Sequence, residues 1–178
     1  VPSFPMIGLG NGSWPLVATC TRGLEEVLAD ELRALGASAV AATRGSVGFS
    51  GDLATVYDAN LRLRTAMRVL VPLVKVQVAS RGDLYQLAAS VGWDELVGRE
   101  QSFAVDVAGR HPAFSNTTFA AQVVKDAVVD RLRASRRRRP NVDRDEPDVQ
   151  LHLHLSERGP SSLSLDSTGE PLSHRGYR

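Results

Sequence analysis

The sequence predicts an α/β chain of the α+β type, built as two successive units. Three observations predict it: short apolar runs bounded by turn residues, three apolar stripes of helical period between them, and a polar break at Ser80-Arg-Gly-Asp83 that separates two such series.

Residues 1–13 are rich in Gly, Pro and Ser, show no periodicity, and are expected to form a flexible tail. Trp14 to Thr19 is a short apolar run and reads as a strand. A helix follows, with Thr21 as the expected N-cap, Leu24, Val27, Leu28, Leu32 and Leu35 as its buried stripe, and Gly36 as its stop. Ser38–Thr43 and Ser46–Ser50 read as two strands joined by a turn at Arg44-Gly45. Gly51-Asp52 opens a second helix, with Leu53, Val56, Tyr57 and Leu61 as its apolar side, and Ala66–Val78 reads as a β-rich run. Strand, helix, strand, strand, helix, strand is the split βαβ order of a ferredoxin-like domain, placed at 14–79.

The second unit, placed at 80–168, begins with a short helix over Leu84–Ala89 and a helical turn at Trp93–Leu96. Ser102–Ala108 alternates as a strand with Phe103, Val105 and Val107 on one face. After a polar loop, 109–116, a long helix is expected from Thr117 to about Ala134, burying Phe119, Ala120, Val123, Val124, Ala127, Val128 and Leu132. Arg136–Pro147 is charged, contains two prolines and reads as a loop. Asp148–Leu155 alternates, with Val149, Leu151, Leu153 and Leu155 inward and Gln150, His152 and His154 on a solvated face. Ser162–Asp166 is expected to pair with it across Arg158-Gly-Pro160. Residues 169–178 read as a linker that breaks off inside a longer protein.

The 178 residues contain 43% hydrophobic and 23% charged side chains, which argues against wholesale disorder. No run is long and apolar enough for a membrane span, so no membrane partner is expected. A single cysteine, Cys20, excludes an internal disulfide and fits a cytoplasmic location. Cys20 can be read as a reactive thiol or as a small core residue; free cysteine is usually the latter.

Several chemistries have partial support in the residues. Gly8-Leu-Gly-Asn-Gly12 has the spacing of a cofactor loop but lacks a strand before it and a helix after it. No Asn-Pro-Pro-Tyr or Asp-Pro-Pro-Phe segment is present to hold a target amino group. Catalytic and cofactor residues are therefore expected to be absent from this chain. His152 and His154 share a strand face, but His111 and His174 lie in loops, so a metal site is not expected. Ser115, His111 and Asp106 make a hydrolase triad only on paper, without a nucleophile elbow.

Charge distribution is more informative. The net charge is +1, yet Lys125–Arg139 holds seven basic side chains against Asp126 and Asp130. Thr118, Gln122, Lys125 and Arg136 fall on one side of the long helix, with Arg133 beside them and Arg137, Arg138 and Arg139 beyond its end. Arginine forks fit phosphate; a solvated helix C-terminus explains the same charges equally well. At the other end, Arg110, His111, Asn116 and Thr117 surround a helix N-terminus whose free amides suit a phosphate. Phe114 can stack on an unpaired base there or anchor the loop in the core. Asn141, Asp143 and Arg144 can shape a groove, whereas Asp143 and Asp145 repel phosphate.

Five segments resemble the THUMP-containing rRNA large-subunit guanine-N2 methyltransferases: Ala18-Thr-Cys-Thr-Arg-Gly-Leu-Glu-Glu26, Gly48-Phe-Ser-Gly-Asp52, Val124-Lys-Asp-Ala-Val-Val-Asp130, Arg139-Pro-Asn-Val-Asp-Arg-Asp145 and Gly169-Glu-Pro-Leu-Ser-His-Arg-Gly-Tyr-Arg178. Cys20 stands where such sequences often carry a small residue. The resemblance implies a ferredoxin-like domain followed by a THUMP domain, with a family-style THUMP boundary of about 55–166. It implies that this chain binds large-subunit rRNA while a C-terminal methyltransferase domain of the same polypeptide uses S-adenosylmethionine. It turns the basic residues into expected RNA contacts: Arg110, His111, Asn116, Thr117, Gln122, Lys125, Arg133, Arg136, Arg137, Arg138, Arg139 and Arg144. Two alternatives stay open: a protein-interaction module docking the catalytic domain or a second subunit, and an accessory region of a DNA adenine-N6 methylase.

Overall fold

The computed structural model describes residues 12–136, 141–143, 146–169 and 171–172, and in Arg136 and Asn141 only the backbone. Two compact units divide the chain: 12–72 with 166–172, and 73–165.

In the first unit the elements are β1 (Trp14–Cys20), α1 (Glu25–Ala34), β2 (Ser38–Thr43), β3 (Ser46–Gly51), α2 (Leu53–Arg62) and β4 (Ala66–Val76), which runs past the unit boundary at Pro72. The strands lie in the order β2-β3-β1-β4 and every pairing is antiparallel, as the split βαβ order requires. Alternation along β1 turns Leu16, Ala18 and Cys20 inward; Leu16 meets Phe49, and Ala18 meets Val47 on one side and Val69 on the other. Leu28 and Leu32 of α1 and Val56 and Ala59 of α2 complete this core.

The first helix starts later than its apolar spacing suggests, whereas α2 opens at Asp52 as expected. α1 begins at Glu25, not after Thr21, and its N-cap is Leu24 without a side-chain cap. Glu25 itself accepts the amides of Gly23 and Gly45, at 2.7 and 2.8 Å, and so ties the helix start to the β2–β3 turn. Leu24 and Val27 are exposed, as are Tyr57 and Leu61 of α2, because the sheet covers a narrower stripe than the periodicity spans. α2 has a reciprocal cap between Asp52 and Thr55. Gly36, at φ +81°, ends α1 as expected.

The returning segment is stitched to β4. Buried Asp166 pairs with Arg68, Ser167 donates its amide and hydroxyl to the Val69 carbonyl at 3.0 and 2.7 Å, and Asn60 Nδ2 donates to Ser167 Oγ at 2.8 Å.

The second unit comprises α3 (Arg81–Ala89), α4 (Trp93–Leu96), β5 (Ser102–Gly109), α5 (Thr117–Arg136), β6 (Asn141–Val142), β7 (Val149–Leu155) and β8 (Ser161–Asp166, to Leu165 in this unit). Its strands lie in the order β8-β7-β5-β6, with β5 parallel to both β6 and β7. β6 corrects the reading of 136–147 as wholly loop: two residues beside prolines are too short for any period to register. α3 starts three residues before the expected Leu84, because Ser80 and Asp83 form a capping box. Trp93 is fully buried and donates Nε1–H to the Ala88 carbonyl at 2.7 Å.

Along α5, Ala120, Val123, Val124, Ala127, Val128 and Leu132 are buried as the stripe predicts, but Phe119 is not. His152 is a second correction. The face expected to be solvated buries this residue to 7% exposure, on an inner strand between β5 and β8. His152 lies in register with Asp106, Nδ1 to Oδ2 3.8 Å. His154 remains exposed, and partial desolvation, with His152 and Lys75 nearby, lowers its pKa.

Four carboxylates titrate below their ordinary range: Glu25 through the Gly45 amide, Asp52 through Thr55, Asp83 through the Ala79 amide, and Asp148 through the amide and hydroxyl of Ser102. A depressed folded-state pKa contributes stability that is present above the unfolded value of about 4 and lost as pH falls through the folded value. Melting temperature should therefore fall steeply below about pH 4, after a shallower decline below about pH 6.5 from His154, whose lowered pKa disfavours the protonated imidazole in the fold. Asp148→Asn should make that fall shallower in a thermal melt series; an unchanged acid limb would refute the assignment.

Candidate nucleic-acid interface

The site grows from the end of β5. Gly109, at φ +84°, lies in register with Leu155, and a Cβ there would stand 2.1 Å from the Leu155 carbonyl oxygen. Only glycine lets the chain leave the sheet at this point and turn towards α5. Within the loop, the Phe114 amide donates to the His111 carbonyl at 3.0 Å and the Ala113 amide to His111 Nδ1 at 3.2 Å. Asn116 then caps α5, its Oδ1 accepting the Phe119 amide at 2.7 Å. Asn116 is thus a helix cap first; the amides of Thr117 and Thr118 remain without an intrahelical acceptor.

These turns enclose an open pocket of about 610 Å³ whose lining includes Arg110, His111, Phe114, Asn116 and Thr117, with Glu157 opposing the positive charge. Arg110 has no carboxylate partner among the described residues. Phe114 is buried, which favours its role as loop anchor over base stacking. Its ring touches His111, centroids 5.8 Å apart, and Phe119, 6.4 Å apart. Phe119 is 38% exposed, and the Arg81 guanidinium sits over its ring at 5.7 Å. Arg81 and Phe119 were not legible as site residues, since one follows a helix cap and the other lies on the apolar stripe.

The remaining candidates form a second group. Gln122 Nε2 donates to Asp126 Oδ1 at 2.7 Å, Lys125 is half-buried, and Arg133 is exposed. Asp130 on the same helix accepts the Tyr85 hydroxyl at 3.0 Å, raising the Tyr85 pKa. At 1.5 Å per residue, Gln122 lies roughly 7.5 Å, Lys125 roughly 12 Å and Arg133 roughly 24 Å along α5 from Thr117, so the candidates are spread along one helix. Arg137, Arg138, Arg139 and Arg144 lie outside the described residues, as do Gly8 to Asn11 of the glycine-rich segment.

The competing chemistries fare poorly. Asp106 Oδ1 accepts the Val107 amide and its Oδ2 lies near His152, not His111, so the Ser115–His111–Asp106 triad is not assembled. No metal-holding cluster occurs among the described residues. Cys20 is buried, and burial followed by Glu25 pushes its thiol pKa up, so it is a core residue with little thiolate. No helix among the described residues is long and apolar enough to cross a membrane.

Comparison with known proteins matches the RlmL ferredoxin-like domain over residues 15–70 and the THUMP domain over 78–159. The Ribosomal RNA large subunit methyltransferase K/L of Syntrophotalea carbinolica is 43% identical over 161 residues, 90% of this chain and 22% of that protein. Among solved structures, a predicted N6-adenine-specific DNA methylase from Listeria monocytogenes superposes with a TM-score of 0.80 at 26% identity, over 94% of this chain and 43% of that one. SMU.472, described as a methyltransferase complexed with SAH, superposes at 0.79 with 26% identity, over 93% and 44%. The chain thus spans about a fifth of the curated relative and under half of the solved chains. It belongs to the proteins that carry an RlmL-type ferredoxin-like domain followed by a THUMP domain.

Proposed function

We propose that this chain is the RNA-binding portion of an S-adenosylmethionine-dependent rRNA methyltransferase of the cytoplasm. It holds large-subunit rRNA so that a catalytic domain of the same polypeptide reaches the N2 of a guanine. The observation that carries the reading is the match to an rRNA methyltransferase over 90% of this chain but only 22% of the relative. It leaves chemistry to the part of the relative that this chain does not match. The solved neighbour with SAH supports the cofactor for the whole enzyme. The THUMP match and Arg110, lining the pocket beside the start of α5, support RNA as the polyanion. Arg133, Arg136, Arg137, Arg138, Arg139 and Arg144 supply a second group of phosphate contacts.

Binding of labelled rRNA hairpins, read by fluorescence anisotropy, should weaken about 20- to 150-fold between 50 and 200 mM salt if three to four phosphates are neutralised. Reversing Arg136–Arg139 to glutamate should reduce both the affinity and the salt slope. Salt-independent binding, or tighter binding to duplex DNA than to rRNA, would contradict the proposal. Exposed Val27 and Leu61 favour a second role for the first unit, docking the catalytic domain; charge reversal of the arginines should leave that contact intact.

A further inference from the structure

We infer that Phe119 and Arg81 form a stacking platform for an unpaired nucleotide base at the edge of the α5 pocket. This deepens the RNA-binding reading and rests on it: the ligand recognised at this end of α5 is a single-stranded or extruded nucleotide, not a continuous duplex.

Phe119 is an apolar side chain out of place. It continues the stripe that buries Ala120, Val123 and Val124, yet 38% of it is exposed. One exposed aromatic needs no explanation; its neighbours are what single it out. Arg81 lies over the ring at 5.7 Å and has no carboxylate partner among the described residues. Its backbone is fixed, because Ser80 caps α3 and Asp83 is engaged by the Ala79 and Ser80 amides at 2.9 and 2.8 Å. Behind Phe119 the tilted Phe114 and His111 rings continue the aromatic surface to the pocket wall.

A flat cation laid over a partly exposed ring is a pair on which bases stack irrespective of sequence, the base lying on the outer face of the guanidinium. The pocket adds what the rest of a nucleotide needs: the Arg110 guanidinium and the first amides of α5 for a phosphate, within an open volume of about 610 Å³. Bases inside an A-form helix are already stacked and cannot present a face to Phe119, so the platform discriminates by strandedness.

The test uses the full chain and three RNAs: an eight-nucleotide uridine strand, the same length of adenosine, and a blunt duplex. Phe119→Ala should weaken both single strands about 5- to 100-fold while changing duplex affinity less than about twofold. Arg81→Ala should follow in the same direction, and Phe119→Tyr should keep the wild-type affinity. A 2-aminopurine within the strand should lose fluorescence on binding wild type but not Phe119→Ala. Single-strand affinity unchanged in both alanine variants would overturn the inference while the RNA-binding reading stands. Equal losses on duplex and single strand would also overturn it. Failure of wild type to bind any of the three RNAs removes both. If Phe119→Ala melts early, Arg81→Ala decides the matter, since its exposed side chain contributes no core packing.

Discussion

Gly109→Ala should lower the melting temperature by roughly 6–12 °C, corresponding to about 3 kcal/mol. Two costs combine. At φ +84° a Cβ is strained by about 1–2 kcal/mol. That Cβ would also stand 2.1 Å from the Leu155 carbonyl oxygen, so backbone must move, at about 1–3 kcal/mol more. The displaced backbone would be the floor of the pocket beneath Arg110 and the start of α5. Single-strand RNA affinity should therefore fall in the same variant even at temperatures where it remains folded. Differential scanning fluorimetry reads the first effect and anisotropy the second. A Tm within about 2 °C of wild type would mean that β5 does not pass β7 this closely.

Arg68→Ala should cost about 3–5 kcal/mol, because it strands a carboxylate with no exposed side-chain surface. Asp166 keeps the Thr168 amide at 2.9 Å and the Thr168 hydroxyl, so its loss is not total. Replacing both partners, as Arg68→Met with Asp166→Leu, should recover a large part of the deficit, since the buried charge goes with its partner. Urea denaturation of the two single variants and the double variant measures this directly. Additive losses in the double variant would show that packing of the Arg68 stem, not charge, holds the segment.

The split βαβ order of the first unit was readable because β1 and β3 alternate and each helix has its own stripe. Cys20 could be placed in the core because a lone cysteine at the end of such an alternating run is seldom anything else. What failed to register depends on neighbours distant in the chain. Nothing local tells β7 that it lies between β5 and β8, and His152 read as solvated although it is buried on that strand. Phe119 satisfied the helical period of α5, but it sits in the first turn, at the margin of the buried stripe, where Arg81 from another helix covers its ring. Glu25 lies off the apolar stripe of α1, and nothing in that spacing shows that its carboxylate reaches the turn at Gly45. The candidate cations at the start of α5 were legible as a set because loop and cap lie within a few residues of each other. Their partition from Arg133 was not, since a count of charge carries no distance.

The first unit closes only when Asp166, Ser167 and Thr168 arrive, after the whole of 73–165 has been made. During synthesis at about 5–20 residues per second, β4 waits roughly 5–20 s for them. Over that interval Arg68 and the Val69 carbonyl face solvent or a chaperone instead of their eventual partners. The part made first is therefore the part finished last, and shortening the gene product at Leu165 would leave an intact second unit attached to an unsealed one.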